Sequence, residues 1–122
     1  MKKLHLALAV NCLEVSVAEY STLLGSQPIA IAKNRYALWR TSEINLSITE
    51  QPDKAGTVRH LGFEDSEASQ IASQYDSNGF EWEYFTAEQQ RQEILRYYPD
   101  ADYPESKLLF AVIDYLPQSS QA

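Results

Sequence analysis

A single cysteine, Cys12, rules out a disulfide within the chain and makes a reducing compartment the expected setting. Basic residues are also scarce: 10 Lys and Arg stand against 17 Asp and Glu, a formal net charge of -7. Nucleic acid and anionic membrane surfaces demand the opposite sign, so neither is an expected partner. An acidic surface does tolerate cationic small molecules. No apolar run approaches membrane-spanning length. Met1-Lys2-Lys3 has the basic start of a signal peptide, but the apolar run Leu6 to Val10 is too short for a signal core. There is no Gly-rich phosphate loop, no Cys-x-x-Cys and no serine in a nucleophile-elbow context. One soluble, cytoplasmic domain over residues 1–122 is the expectation.

What is present begins with Leu4, Leu6, Leu8 and Val10 alternating with His5, Ala7 and Ala9, the period of a strand with one strongly apolar face. Asn11 precedes Glu14 at capping-box spacing. Leu13, Val17, Tyr20 and Leu24 then form one helical stripe, ended by Gly25, which predicts a helix from about Cys12 to Leu24. Strands are predicted at 28–32, 36–40 and 44–49, and Gln51 to Gly56 (QPDKAG) reads as a connector.

The pattern then restarts. Thr57 to Phe63 reads as a strand carrying His60, and Ser66 as the cap of a second helix with Ala68, Ile71, Ala72 and Tyr75 as its buried stripe. Strands follow at Phe80 to Phe85, Ile94 to Tyr98 and Lys107 to Leu116, with helix formers at Ala87 to Glu93. Placing His5 on His60 also aligns Leu6 with Leu61, Ala7 with Gly62, Asn11 with Ser66 and Tyr20 with Tyr75. Register of this kind marks an internal repeat. The fold class is therefore α+β: two tandem βαβββ modules, with module one at 3–50, a linker at 51–56, module two at 57–116 and a tail at 117–122.

Strand parity separates the faces without further information. The leucines of the first strand must meet the helix, so His5 faces away from it, over a floor of Ala7, Ala9 and Gly62. His60 and Glu64 share that face in the second module, and Asn45, Ser47 and Thr49 join it from the first. Small floor residues leave room for a ligand. Arg40, Arg91 and Arg96 read as solvated charges. The aromatics Trp39, Trp82, Tyr84, Phe85, Tyr97 and Tyr98 divide between core and ligand stacking in a way the pattern does not resolve.

Two such modules resemble the vicinal oxygen chelate superfamily, which includes glyoxalase I, extradiol dioxygenases and the fosfomycin- and bleomycin-resistance proteins. HLALAV, AEYSTLLG, INLSITE and TVRHLGFE carry the resemblance. It implies a curved, cup-like mixed sheet with both helices outside, and a homodimer. It also implies metal ligation by His5 and His60 in metal-dependent members, usually completed by carboxylates on the last strand of a module. Asn45 and Leu109 stand at those last-strand positions, and neither is a conventional ligand for zinc or iron. Glu64 is the nearest third ligand on the same face, with Glu81 and Glu83 as alternatives of unresolved parity.

Two functional readings stand side by side. One is a small-molecule-binding cup lined by His5, Asn45, Ser47, Thr49, His60 and Glu64, without a complete conventional metal site. The other is a lyase, isomerase, dioxygenase or transferase using a divalent ion (Zn, Mn, Ni or Fe) held by His5, His60 and Glu64.

Overall fold

Alternation of large and small side chains along Lys2–Val10 produces β1, the strand at the centre of the sheet. The computed structural model describes residues 2–103. After β1 come helix α1 (Leu13–Leu24) and strands β2 (Ala30–Ala32), β3 (Tyr36–Arg40) and β4 (Ile44–Glu50). A short helical turn at Pro52–Lys54 leads to β5 (Val58–Asp65), β6 (Ala72–Tyr75), β7 (Glu81–Phe85) and helix α2 (Ala87–Tyr97). The strands form one mixed sheet in the order β2-β3-β4-β1-β5-β7-β6. β1 runs parallel to β4 and antiparallel to β5, and β7 runs parallel to β5. The fold is α+β, and the first βαβββ module stands as its residue pattern predicts.

The apolar stripe of α1 packs on one face of this sheet. Leu13 joins Val10, Ala37, Trp39, Leu46 and Ile48 in a buried cluster, with Val17, Tyr20 and Leu24 against it. Burying a side chain the size of Ile48 is worth about 1.5–3 kcal/mol, and Trp39 adds a hydrogen bond from its indole N–H to the Ser26 carbonyl. Gly25 ends the helix in the left-handed conformation (φ 64). The start of α1 differs from the Asn11 cap expected from spacing. Cys12 is the N-cap, without a side-chain bond, and Glu50 at the end of β4 accepts the Leu13 amide proton at 2.8 Å. A carboxylate there also complements the positive end of the helix.

The second half departs from the expected repeat. Residues 66–71 form turns and bends, and Ala72–Tyr75 is an exposed strand where the second helix was expected. The proposed stripe had two alanines among its four members, too little apolar area to hold a helix on the sheet. Instead Ala68 closes one turn onto the Asp65 carbonyl, and β6 pairs antiparallel with β7.

The second helix lies after β7. Thr86 and Gln89 form a reciprocal capping box, each side chain accepting the other's backbone N–H at 3.1 and 2.8 Å. The helix runs on through Ile94 to Tyr97, where a strand was expected. Its buried positions Ala87, Gln90 and Ile94 recur at helical spacing, and Ile94 packs with Ala30, Ala32, Tyr36, Leu38 and Tyr103. Leu38 and Ala37 are neighbours on one strand, so their two clusters occupy opposite faces of the sheet. α2 therefore covers the face that carries His5 rather than lying outside the cup with α1. The strand expected at 107–116 and the tail lie outside the described residues. Among the described residues no helix is long and apolar enough to cross a membrane.

The β6–β7 turn is tied by Asp76. Its carboxylate accepts the Trp82 indole N–H at 3.0 Å and the backbone N–H groups of Asn78 and Phe80 at 2.8 and 3.0 Å. The Trp82 bond, with the backbone bonds behind it, holds this carboxyl below its ordinary value. Stability from that shift is present above the unfolded pKa and is lost as pH falls through the lower folded value. Asp76→Ala should therefore lower the unfolding midpoint at neutral pH, and the gap to wild type should close in acid below the ordinary aspartate range. Denaturant titration followed by tryptophan fluorescence measures both.

Candidate functional site

Strand register assembles the site. Arg40 on β3 pairs with Asn45 on β4, Asn45 with His5 on β1, His5 with Gly62 on β5, and Gly62 with Glu83 on β7. One row thus crosses five strands on the face that α2 covers. His60 stands two residues from Gly62, in the next row, opposite Ala7. Gly62 has no side chain, and the three side chains around it converge over the gap. His5 Nε2 and His60 Nε2 are 3.0 Å apart, and His60 Nε2 is 3.0 Å from Glu83 Oε1. Among the described residues, His5, His60 and Glu83 form a group whose ligand atoms all lie within 4.8 Å of one another.

Their surroundings differ. His5 is buried, its ring edge-on to Phe85, and its Nδ1 lies 2.8 Å from Asn45 Oδ1 and 3.2 Å from the Asn45 carbonyl oxygen. Burial, followed by the neighbouring His60, lowers its pKa to about 4, so the ring is neutral at physiological pH. For Glu83, burial alone would raise the pKa. The hydrogen bond from His60 and the charges of His60, His5 and Arg59 outweigh it, and the carboxyl titrates below its ordinary value. A neutral imidazole and an ionised carboxylate are the forms that ligate metals.

The triad forms part of the wall of a cavity of about 400 Å³. Ser47 and Thr49 line it from β4, and Arg59 donates to Thr49 Oγ1 at 3.2 Å. Glu81 and Glu93 add acidic groups, and Tyr36, Tyr97 and Tyr98 add aromatic surface. Tyr36 and Tyr98 stack with centroids 5.2 Å apart.

Of the six residues expected to line the cup, His5, Ser47, Thr49 and His60 line this cavity. Asn45 and Glu64 lie beneath it, both 0% exposed. Glu64 does not join the histidines. Its carboxylate pairs with Arg40, whose Nε is 2.6 Å from Oε1 and whose Nη2 meets Oε2, and it accepts from Asn45 Nδ2 at 2.8 Å. Arg40, read from sequence as a solvated charge, is thus a buried one, with a side chain 1% exposed. The carboxylate beside the histidines is Glu83, two strands over in the same register row as His5. The wall formed by α2 was only partly legible, because helix formers were read at Ala87 to Glu93 but a strand was expected at Ile94 to Tyr98. The capping pair Thr86 and Gln89 was the visible clue to that helix.

No family model matches the chain, and no curated protein matches it. Among solved structures it is similar to a protein described as an NAD-dependent benzaldehyde dehydrogenase from Legionella pneumophila. The TM-score is 0.47 at 16% identity, over 68% of this chain and 97% of that one. It is also similar to a glyoxalase/bleomycin resistance protein from Catenulispora acidiphila DSM 44928, with a TM-score of 0.39 at 24% identity, over 67% of this chain and 95% of that one. Likeness at this level carries no information about chemistry.

Gly62 has a role beyond leaving space in the floor. A Cβ at this position would lie 2.0 Å from the Glu83 carbonyl oxygen and 2.7 Å from the Glu83 carbonyl carbon and nitrogen, all backbone atoms that cannot move aside alone. Gly62→Ala should destabilise the protein by about 1–3 kcal/mol, the usual cost of overpacking, and should push β7 and Glu83 away from β5. Chemical denaturation measures the first effect. Loss of backbone amide protection on β7 in hydrogen exchange measures the second.

Proposed function

We propose that this cavity is a divalent-metal site that presents its ion to the oxygen atoms of a small molecule. The observation that carries the reading is that two imidazole nitrogens and one carboxylate oxygen on the cavity wall lie within 4.8 Å of one another. Zinc and similar ions bind such donors at about 2.0–2.2 Å, which sets neighbouring donors about 2.9–3.5 Å apart. The two separations of 3.0 Å, His5 to His60 and His60 to Glu83, fall in that range. Two histidines and one carboxylate suit Zn, Fe, Ni or Mn and leave coordination positions for a ligand. Glu81 and Glu93 add negative charge to the same cavity, which favours a cation there.

A bound ion would act as a Lewis acid on a carbonyl or hydroxyl oxygen of the ligand. The chain's own groups supply the rest. Tyr97 and Tyr98 offer an aromatic wall for a planar ligand, Ser47 and Thr49 offer hydroxyls, and Arg59 stands by to meet an anionic substituent. Phe85 and Ile94 keep the floor around His5 apolar. A second reading, a metal-free binding cup, has support of its own. One proton on His60 Nε2 can be shared between His5 Nε2 and Glu83 Oε1, so the three groups also satisfy each other without an ion.

Elemental analysis of the purified protein, followed by calorimetric titration of chelator-treated protein with zinc, manganese, nickel and ferrous iron, separates the two. The metal reading expects one ion per chain and loss of binding in both His5→Ala and Glu83→Ala. Wild-type protein that takes up none of the four ions would leave the metal-free cup as the function.

A further inference from the structure

The Arg40–Glu64 pair is withdrawn from solvent, with side chains 1% and 0% exposed, and neither residue is among those that line the cavity. Buried ion pairs are seldom net stabilisers compared with apolar side chains of the same volume. Stability is therefore a weak reason for one here, and its neighbours suggest another. With both oxygens engaged by a guanidinium, Glu64 offers only acceptors. Asn45 must then turn its amide nitrogen toward it, and Nδ2 lies 2.8 Å from Glu64 Oε1. The reversed amide would set two oxygens against each other without a proton between them.

That choice fixes two more groups. Gln90 of α2 pairs with Asn45 in both directions, accepting from Nδ2 at 2.8 Å and donating to Oδ1 at 3.1 Å. Asn45 Oδ1 also faces His5 Nδ1 at 2.8 Å, with the Asn45 carbonyl oxygen behind it at 3.2 Å. Neither oxygen can donate, so the ring proton is assigned to Nδ1. In a neutral imidazole this leaves Nε2 as a bare lone pair, and Nε2 is the atom aimed at His60 and Glu83.

We infer that Arg40, Glu64 and Asn45 form a positioning relay that locks His5 in its Nδ1–H tautomer and so keeps its cavity-facing nitrogen an obligate acceptor. None of the three touches the cavity; they act through His5. The same relay ties α2 to the sheet through Gln90, so the cavity wall and the histidine are set by one carboxylate. The tautomer is independent of any metal. Its consequence for ion affinity rests on the reading proposed above.

The test is nitrogen-15 ring spectroscopy of the chelator-treated full chain at neutral pH. The chain has two histidines, His5 and His60, so a His60→Gln variant assigns the signals. Wild-type protein should show His5 protonated at Nδ1 and bare at Nε2. Asn45→Leu removes the shorter, side-chain acceptor and leaves the longer backbone contact, so Nε2–H should become populated. Where wild type binds zinc, the variant should bind it about 10–100-fold more weakly, as expected when the group orienting a ligand histidine is lost.

A wild-type spectrum with the proton on Nε2 overturns the proposal, and it does so even if the variant fails to fold. A folded Asn45→Leu protein that keeps the wild-type tautomer also overturns it, as does a changed tautomer with zinc affinity intact. Wild type that shows Nδ1–H, loses it in Asn45→Leu, and binds no zinc supports the relay while removing the metal reading.

Discussion

The register of β1 with its two neighbours is the constraint on which everything else rests. Because β1 runs parallel to β4 and antiparallel to β5, His5 stands beside Asn45 on one side and Gly62 on the other. A slip of one residue would turn His5, Ala7 and Ala9 toward α1 and drive Leu4, Leu6 and Leu8 into the cavity face. The α1 cluster resists that slip, since Leu6 and Leu8 pack against Val10, Leu46 and Ile48. The apolar face thus holds the polar face in place. Gly62 extends the row one strand further by letting the β7 backbone approach where a side chain would collide with it.

The polar groups around His5 fall into two tiers. The lower tier, Arg40, Glu64, Asn45 and Gln90, is linked by hydrogen bonds among its members and to His5. The upper tier, His5, His60 and Glu83, opens into the cavity. Buried polar groups are costly when unpaired and specific when paired, so the lower tier defines an orientation that the upper tier inherits. His5 belongs to both tiers, and its low pKa of about 4 reflects how little water reaches it.

The first module was legible because its helix carries a wide apolar stripe and its strands alternate cleanly. The placement of Leu13, Val17, Tyr20 and Leu24 against the sheet follows from spacing alone. The second half misled for identifiable reasons. Residues 66–75 have helix-compatible spacing but alanine at two of the four stripe positions, and hairpin pairing with β7 satisfied their backbone better. Ile94 to Tyr98 has strand-forming residues, yet a capped helix was already under way at Thr86, and Ile94 found a buried partner set on the sheet. Local preference yielded to tertiary packing in both places.

For the site, parity in the sequence alone determined that His5 and His60 share a face, with Ser47 and Thr49 beside them, because a strand's side chains alternate whatever its partners are. Which carboxylate meets the histidines was not determined there. Glu64 had the right parity and that of Glu81 and Glu83 was open, and only the pairing of β7 with β5, together with the burial of Arg40 against Glu64, separates them. Arg40 binds Glu64 and withdraws it from the cavity, while the gap above Gly62 admits Glu83. Periodicity assigns a residue to a face; its neighbours on that face depend on contacts between distant segments, which only the tertiary structure brings together.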